Sequence, residues 1–167
     1  AVQHMRKTGE VRGHLSKDGP PELVLFPTLP YIKEGNLNSP ASLARLAQFS
    51  AEVKEKVDVV VSLGIGGSFL GNKVLFDVHC GEFWNSLTEE ERAGYPEVYF
   101  SGQNIDARRT ADLINLLAHK AKSAAAHKKR PLTVLLLVIS KSGGTLDTMS
   151  NFMVIYEALG KIKNISR

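Results

Sequence analysis

The sequence predicts an α/β fold, a parallel sheet flanked by helices. Strand-like apolar runs alternate with helix-like segments three times, at Val59–Leu63, Glu97–Ser101 and Leu132–Ile139. That alternation is the pattern of βαβ units in a parallel sheet. The first and third runs are rich in Val, Leu and Ile without clear polar alternation, as expected of strands covered on both faces. Both then break into glycine and hydroxyl residues, Gly64–Ser68 and Ser140–Thr145, just before a helical segment. In such sheets crossovers are right-handed and ligands bind beyond the carboxyl ends of the strands.

Taken in order, residues 1–39 read as an irregular N-terminal arm. Gly9, Gly13, Gly19, Pro20, Pro21, Pro27, Pro30 and Gly35 punctuate them too often for a long helix. Glu22–Phe26 is a candidate short strand. Residues 40–167 form the α/β portion. Its first helix runs from Pro40 to Lys56, with Ser39 as N-cap and Pro40 at the first helical position. Leu43, Leu46, Ala47, Phe49 and Val53 give that helix an apolar stripe suited to packing. The next helix is expected from Phe69 to about Cys80. Gly81–Pro96 is a long connection with a short helix that starts at a capping-box-like Thr88–Glu91. A helix from Asp106 to Lys122 buries Leu113, Leu116 and Leu117, and Ala124–Pro131 is a polar turn. The last helix runs from Leu146 to about Leu159, with Gly160 as its stop. Lys161–Arg167 begins a further strand.

Composition excludes several classes. Hydrophobic residues make up 43% and charged residues 23% of the 167, ordinary values for a globular chain long enough to bury a core. The net charge of +4 owes much to His119–Arg130, read as a solvated helix end. That cluster lacks interleaved aromatics, so no nucleic-acid partner is expected, although the excess favours an anionic small molecule by steering. Cys80 is the one cysteine and cannot form an internal disulfide, so it is expected as a buried thiol in a reducing compartment. AVQHMRKTGE lacks the apolar core of a signal peptide, and no apolar run approaches the roughly 20 residues of a membrane span. A cytoplasmic location without membrane association follows as the expectation.

The two loops carry the chemistry. Gly64–Phe69 does not fit the dinucleotide pattern G-x-G-x-x-G, because Phe69 stands at the last place. Ser140–Thr145 lacks the P-loop spacing as well. What each offers is a close backbone approach at glycine, hydroxyls, and a helix N-terminus with its N–H groups and partial positive charge. An anion shared by the two loops is the expected guest. Tight turns and N-caps alone would account for either loop separately.

Gly64–Gly71 (GIGGSFLG) followed by Ile139–Thr148 (ISKSGGTLDT) resembles the glucose-6-phosphate isomerase (phosphoglucose isomerase) family. The second motif with its flanking strands resembles a sugar isomerase (SIS) domain. The resemblance spans about Val57 to Leu159, the first SIS subdomain, and includes FSGQNID after the second strand. It implies a flavodoxin-like sheet. It implies that Gly67 and Ser68 face the sugar, and that Ser140, Ser142, Thr145 and the backbone at Lys141 hold the 6-phosphate. The implied reaction is the glycolytic and gluconeogenic interconversion of glucose 6-phosphate and fructose 6-phosphate. Ring opening is followed by proton transfer between C1 and C2 through an enediol, with no metal or organic cofactor, in a homodimer. Asn72, Gly144 and Asp147 depart from the family's usual residues, and Gly144 removes one hydroxyl.

The family's catalytic base, its enediol-stabilising arginine and its ring-opening groups belong to motifs not found before Arg167, so no catalytic residue is assigned. The expectation is an N-terminal piece of an isomerase, inactive alone, that carries the sugar-phosphate loops. The alternative is a stand-alone SIS-type module that senses a phosphosugar without catalysis. A generic α/β interaction domain would leave both loops unexplained.

Overall fold

The computed structural model describes residues 2–15 and 21–167. The chain forms two compact units, Ala1–Ala51 and Glu52–Arg167. In the first, helix α1 (Val2–Thr8) stops at Gly9, whose φ of 77° suits glycine and whose N–H closes on Met5 O at 2.8 Å. Strands β1 (Glu10–Leu15) and β2 (Pro21–Leu23) then pair antiparallel with an irregular register. The expected strand Glu22–Phe26 is thus realised only to Leu23. Phe26–Thr28 is a single 3₁₀ turn, because Pro27 has no N–H to give a ladder. Gly19 and Pro20 of the expected irregular run lie outside the described residues.

Helix α2 (Pro40–Lys56) starts as expected. Ser39 Oγ accepts from the Ser42 N–H at 3.2 Å, and Ser42 Oγ accepts from the Ser39 N–H at 2.9 Å, a reciprocal cap. Its apolar stripe is not covered, however: no residue of α2 is buried, and Leu46 and Phe49 are exposed. Helical periodicity states which face could be buried, and it does not state what covers that face.

The second unit is a four-stranded, all-parallel sheet in the order β4-β3-β5-β6, made of β4 (Glu97–Ser101), β3 (Val59–Leu63), β5 (Leu132–Val138) and β6 (Ile165–Ser166). In chain order this is second, first, third, fourth, the flavodoxin-type arrangement over four strands. Central β3 pairs residue for residue with both neighbours, from Val59 opposite Glu97 and Val134 to Leu63 opposite Ser101 and Val138. All five β3 residues are buried, as its unalternating sequence requires.

One sheet face, formed by Val59, Val61, Leu63 and Leu132, Val134, packs on helices α4 (Ala107–His127) and α5 (Leu146–Lys161). Leu117, Ala121 and Ala124 from α4, with Ile155 and Leu159 from α5, complete this core. Each large side chain buried there contributes about 1.5–3 kcal/mol. Helix α3 (Gly67–Cys80) lies with its Phe69 and Phe76 against Phe100 of β4, ring centroids 5.9 and 5.4 Å apart. The opposite side of α3 is apolar too, and Leu70, Val74 and Val78 are exposed there. Cys80, at its end, is half-buried rather than buried.

The connection after α3 holds a short helix as expected, but it is a single 3₁₀ turn at Trp84–Ser86, ahead of the expected start. Thr88 and Glu91 do form the capping-box bonds, at 2.8 and 3.2 Å, but only turns follow, because Ala93 and Gly94 both adopt positive φ. Trp84 and Asn85 instead protect the sheet edge. Asn85 donates to Val98 O and accepts from Val98 N–H, both at 2.8 Å, which satisfies the outer groups of edge strand β4. Helix α4 also overruns its expected end, since the Ala124–Ala126 stretch has high helix propensity. Gly160 lies inside α5 rather than ending it, and the Arg167 guanidinium occupies the place of a Cβ.

The basic cluster is largely exposed, as expected, but several of its cations are paired. Arg130 grips Asp58 with two bonds of 2.8 Å, Lys128 joins at 3.2 Å, and the Thr133 N–H donates to the same carboxylate at 2.9 Å. Lys120 pairs with Glu97 at 2.8 Å. These contacts tie the amino ends of β3, β4 and β5 around a cavity of about 190 Å3. Burial pushes the Asp58 carboxyl up, but the bonds from Arg130, Thr133 and Lys128 outweigh it and leave the group below its usual range. A depressed carboxylate stabilises above its unfolded value and loses that contribution as pH falls through the folded one. Asp58→Asn should therefore cost about 2 kcal/mol near neutral pH, since both cations are partly exposed and the pairs are discounted accordingly. Thermal unfolding should show a fall of roughly 4–8 °C. The gap to the parent should close below about pH 4.

Candidate functional site

The carboxyl end of the sheet is built on close backbone approaches. Gly64 follows β3, and a Cβ there would lie 2.7 Å from Ser68 O in the first turn of α3. Gly66 caps α3 at φ 57°, ψ −126°, a conformation that a side chain would strain. Gly67 and Ser68 open the helix, the former exposed and the latter half-buried. At the neighbouring end of β4, Gly102 stands at φ 82° so close to β3 that its Cβ would sit 3.1 Å from Gly64 N. The Gly64 N–H donates to Ser101 O at 3.2 Å.

The second loop leaves β5, the strand on the other side of β3. Ile139 N–H donates to Leu63 O at 2.9 Å, which keeps the two strands paired to the point where both loops depart. Paired strands lie about 4.8 Å apart, so the GIGGS and SKSGGT loops start side by side. This is the switch point of the sheet, because the chain passes from β3 to β4 on one side and returns to β5 on the other.

Within the second loop the hydroxyls turn inward on their own backbone. Ser140 Oγ lies 3.1 Å from Thr145 Oγ1 and accepts from the Gly143 N–H at 3.1 Å. Ser142 Oγ accepts from the Gly144 N–H at 3.3 Å. Gly143 takes φ 71°, which lets the loop double back toward α5. Lys141 is exposed at the loop surface. The structure thus gathers Ser140, Ser142 and Thr145 into one turn, and it places Gly67 and Ser68 on the adjoining one.

Helix capping separates these two helices from α2 and α4. Asp106 caps α4 by accepting from the Arg109 N–H at 3.0 Å, and Ser39 caps α2. Among the described residues no side chain caps α3 or α5. Thr145 stands at the N-cap of α5, but its hydroxyl is paired with Ser140 instead. Two uncapped helix N-termini therefore end at one edge of the sheet. Their positive dipole ends suit an oxyanion, although on α3 the Ser68, Phe69 and Leu70 N–H groups already donate to Ile65 O and Gly66 O.

Several titratable groups lie outside these loops. Glu89 binds Lys128, Glu91 caps Thr88, and His127 bonds within its own helix at Ser123. His79 and His119 are exposed on α3 and α4. What escaped sequence reading is Thr148 and Asn151, both buried on α5. A signal did exist: they share the helical phase of Ile155 and Leu159, where an apolar residue is the ordinary choice.

No family model matches the chain. A glucose-6-phosphate isomerase of Fusobacterium nucleatum is 35% identical over 116 residues, which is 70% of this chain and 23% of the relative. The glucose-6-phosphate isomerase of Pediococcus pentosaceus is 35% identical over 118 residues, 71% of this chain and 24% of the relative. That of Enterococcus faecalis is 34% identical over 116 residues. Over this stretch the chain is similar to glucose-6-phosphate isomerases. It spans about a quarter of the length of the curated relatives it matches. No helix among the described residues is long and apolar enough to cross a membrane.

Gly64 offers the sharpest check on this geometry. Gly64→Ala drives a methyl group into the backbone of Ser68, so the first turn of α3 must shift, at a cost of about 1–3 kcal/mol. Thermal denaturation should register that loss. Gly144→Ala, where a Cβ meets open space, should leave the melting temperature within about 2 °C of the parent.

Proposed function

We propose that this chain supplies the sugar-phosphate-binding loops of a glucose-6-phosphate isomerase. The supporting observation is the meeting of two glycine-and-hydroxyl loops, each at an uncapped helix N-terminus, at the switch point between β3 and β5. In this reading Ser140, Ser142 and Thr145 turn their hydroxyls from one another to the 6-phosphate. The Lys141 backbone adds an N–H, and Gly67 and Ser68 meet the sugar. The substrate is glucose 6-phosphate or fructose 6-phosphate, and the reaction is aldose–ketose isomerisation through an enediol. The portion from residue 40 onward, a SIS-type subdomain, carries the binding. Cytoplasmic glycolysis and a homodimeric assembly belong to the same proposal.

The division of labour follows from the residue types. A phosphate needs donors and positive potential, and both loops provide them. Proton transfer between carbons needs a positioned base of suitable pKa. Neither GIGGS nor SKSGGT contains a carboxylate or an imidazole. This chain therefore holds the substrate and does not by itself turn it over.

A thermal-shift titration of the 167-residue chain tests the reading. At a hundredfold excess over the dissociation constant a ligand adds about 2.7 kcal/mol to stability, roughly 5–10 °C in melting temperature. Fructose 6-phosphate should produce such a shift at a lower concentration than inorganic phosphate does. Ser142→Ala and Thr145→Ala should each weaken sugar-phosphate binding about tenfold, the worth of one charge-assisted hydrogen bond. Equal shifts for both ligands would leave only a general anion site. Unchanged affinity in both variants would remove the phosphate loop from the proposal. Binding with no place for the chain in any turnover would favour a phosphosugar sensor.

A further inference from the structure

The segment Ser101–Asp106, after β4, belongs to neither ligand loop and yet touches the supports of both. Ser101 O accepts the Gly64 N–H at 3.2 Å, at the root of the GIGGS loop. Asn104 O accepts from Asn151 Nδ2 at 2.9 Å, in the second turn of α5. Gly102 O takes a longer contact, 3.5 Å, from the Thr148 hydroxyl. The β4 segment thus bridges the helix that follows SKSGGT and the glycine that begins GIGGS.

Asn151 is 4% exposed, and all its hydrogen-bonding atoms are engaged. Its Oδ1 accepts from the Thr110 hydroxyl of α4 at 2.9 Å. Its Nδ2 also donates to Asp147 O, one turn back, at 2.8 Å. A buried amide costs stability unless it is bonded, and asparagine is a weak helix former. Ile155 and Leu159 show that an apolar side chain serves for packing on this face. A fully bonded buried polar group instead specifies one relative placement of the elements it joins. Here those elements are α4, α5 and the β4 segment.

We infer that Asn151 is a positioning residue, oriented by Thr110, that fixes the span between the SKSGGT and GIGGS loops. It touches neither loop's ligand-facing groups and acts through the β4 segment. The inference rests on the sugar-phosphate reading in one respect: a ligand that contacts both loops depends on their span, whereas an anion held by one loop does not. The structural half, Asn151 holding the β4 segment and through it Gly64, stands on the bonds alone.

Two readouts on the 167-residue chain test the two halves. Asn151→Leu removes all three side-chain bonds at similar volume. Thr110→Val removes only the orienting hydroxyl and serves if the first variant fails to fold, while Thr110→Ser should restore the parent behaviour. Leu159→Ala is the control for general loss of core packing. Amide hydrogen exchange at Gly64 should quicken at least fivefold relative to Val61 in the Asn151 and Thr110→Val variants. In Leu159→Ala both amides should quicken together. The dissociation constant for fructose 6-phosphate should rise about tenfold in the positioning variants, with that for inorganic phosphate within twofold of the parent. Uniform exchange at Gly64 and Val61 in both positioning variants, or an equal loss of affinity for both ligands, would overturn the inference. If the parent chain binds fructose 6-phosphate no tighter than phosphate, the functional reading fails and takes the ligand half with it. Preferential exchange at Gly64 would then uphold the structural half.

Discussion

Ile139 donates its backbone N–H to the carbonyl of Leu63, the last rung of a register that begins at Val59 opposite Val134. The candidate site depends on this pairing. β3 and β5 are neighbours in space with a strand and two helices between them in sequence, so nothing local brings GIGGS beside SKSGGT. A slip of one residue would turn Val59, Val61 and Leu63 away from the core that α4 and α5 provide. It would also displace one loop along the strand by about 3.3 Å. Burial of one sheet face and alignment of the two loops are therefore enforced by the same register.

The two ends of that sheet handle charge in opposite ways. At the amino end, Asp58, Glu89 and Glu97 meet Lys120, Lys128 and Arg130, and the charges largely neutralise one another. At the carboxyl end, helices α3 and α5 bring uncapped N-termini, with no carboxylate in either loop and one, Asp147, in the first turn of α5. Parallel strands with returning helices put helix N-termini at the carboxyl ends of the strands as a matter of topology. The residue choices then decide what is done with them. Asp106 shows that capping is available to this chain, since it satisfies α4 with its own side chain. Glycine and a diverted threonine stand at the corresponding places on α3 and α5, where no side chain caps the helix; on α3 the Ser68, Phe69 and Leu70 N–H groups turn back to the carbonyls of Ile65 and Gly66.

How much of this could be read beforehand depended on whether the signal was local. Strand β3 was legible because Val59–Leu63 is a buried apolar run, and the α2 start because Ser39-Pro40 is a cap followed by a residue preorganised for the first turn. The two loops were legible from their glycines and hydroxyls. Helix ends were less so: the alanines at 124–126 continue α4 through an expected turn, and Gly160 is absorbed into α5. Asp58 escaped notice because its partners are 70 to 75 residues away, and a lone aspartate before a strand announces nothing. The ion pairs that His119–Arg130 makes across the sheet went unread for the same reason. The exposed stripes on α2 and α3 mark the converse limit, in which an apolar pattern is present and its cover is not.

The inward hydroxyls of SKSGGT bear on how the site would bind. Ser140, Ser142 and Thr145 already hold bonds with Gly143, Gly144 and one another. An incoming phosphate must replace these bonds rather than fill vacant ones, so each contributes only the difference between a neutral and a charge-assisted hydrogen bond. Gly144 supplies no hydroxyl of its own, which lowers that sum further. A single loop of this kind gives modest affinity for phosphate alone. On the proposed reading, discrimination for a sugar phosphate would then come from the second loop and from the fixed distance between the two. The backbone contacts at Gly64, Gly102 and Leu63 would then be as important to recognition as the hydroxyls.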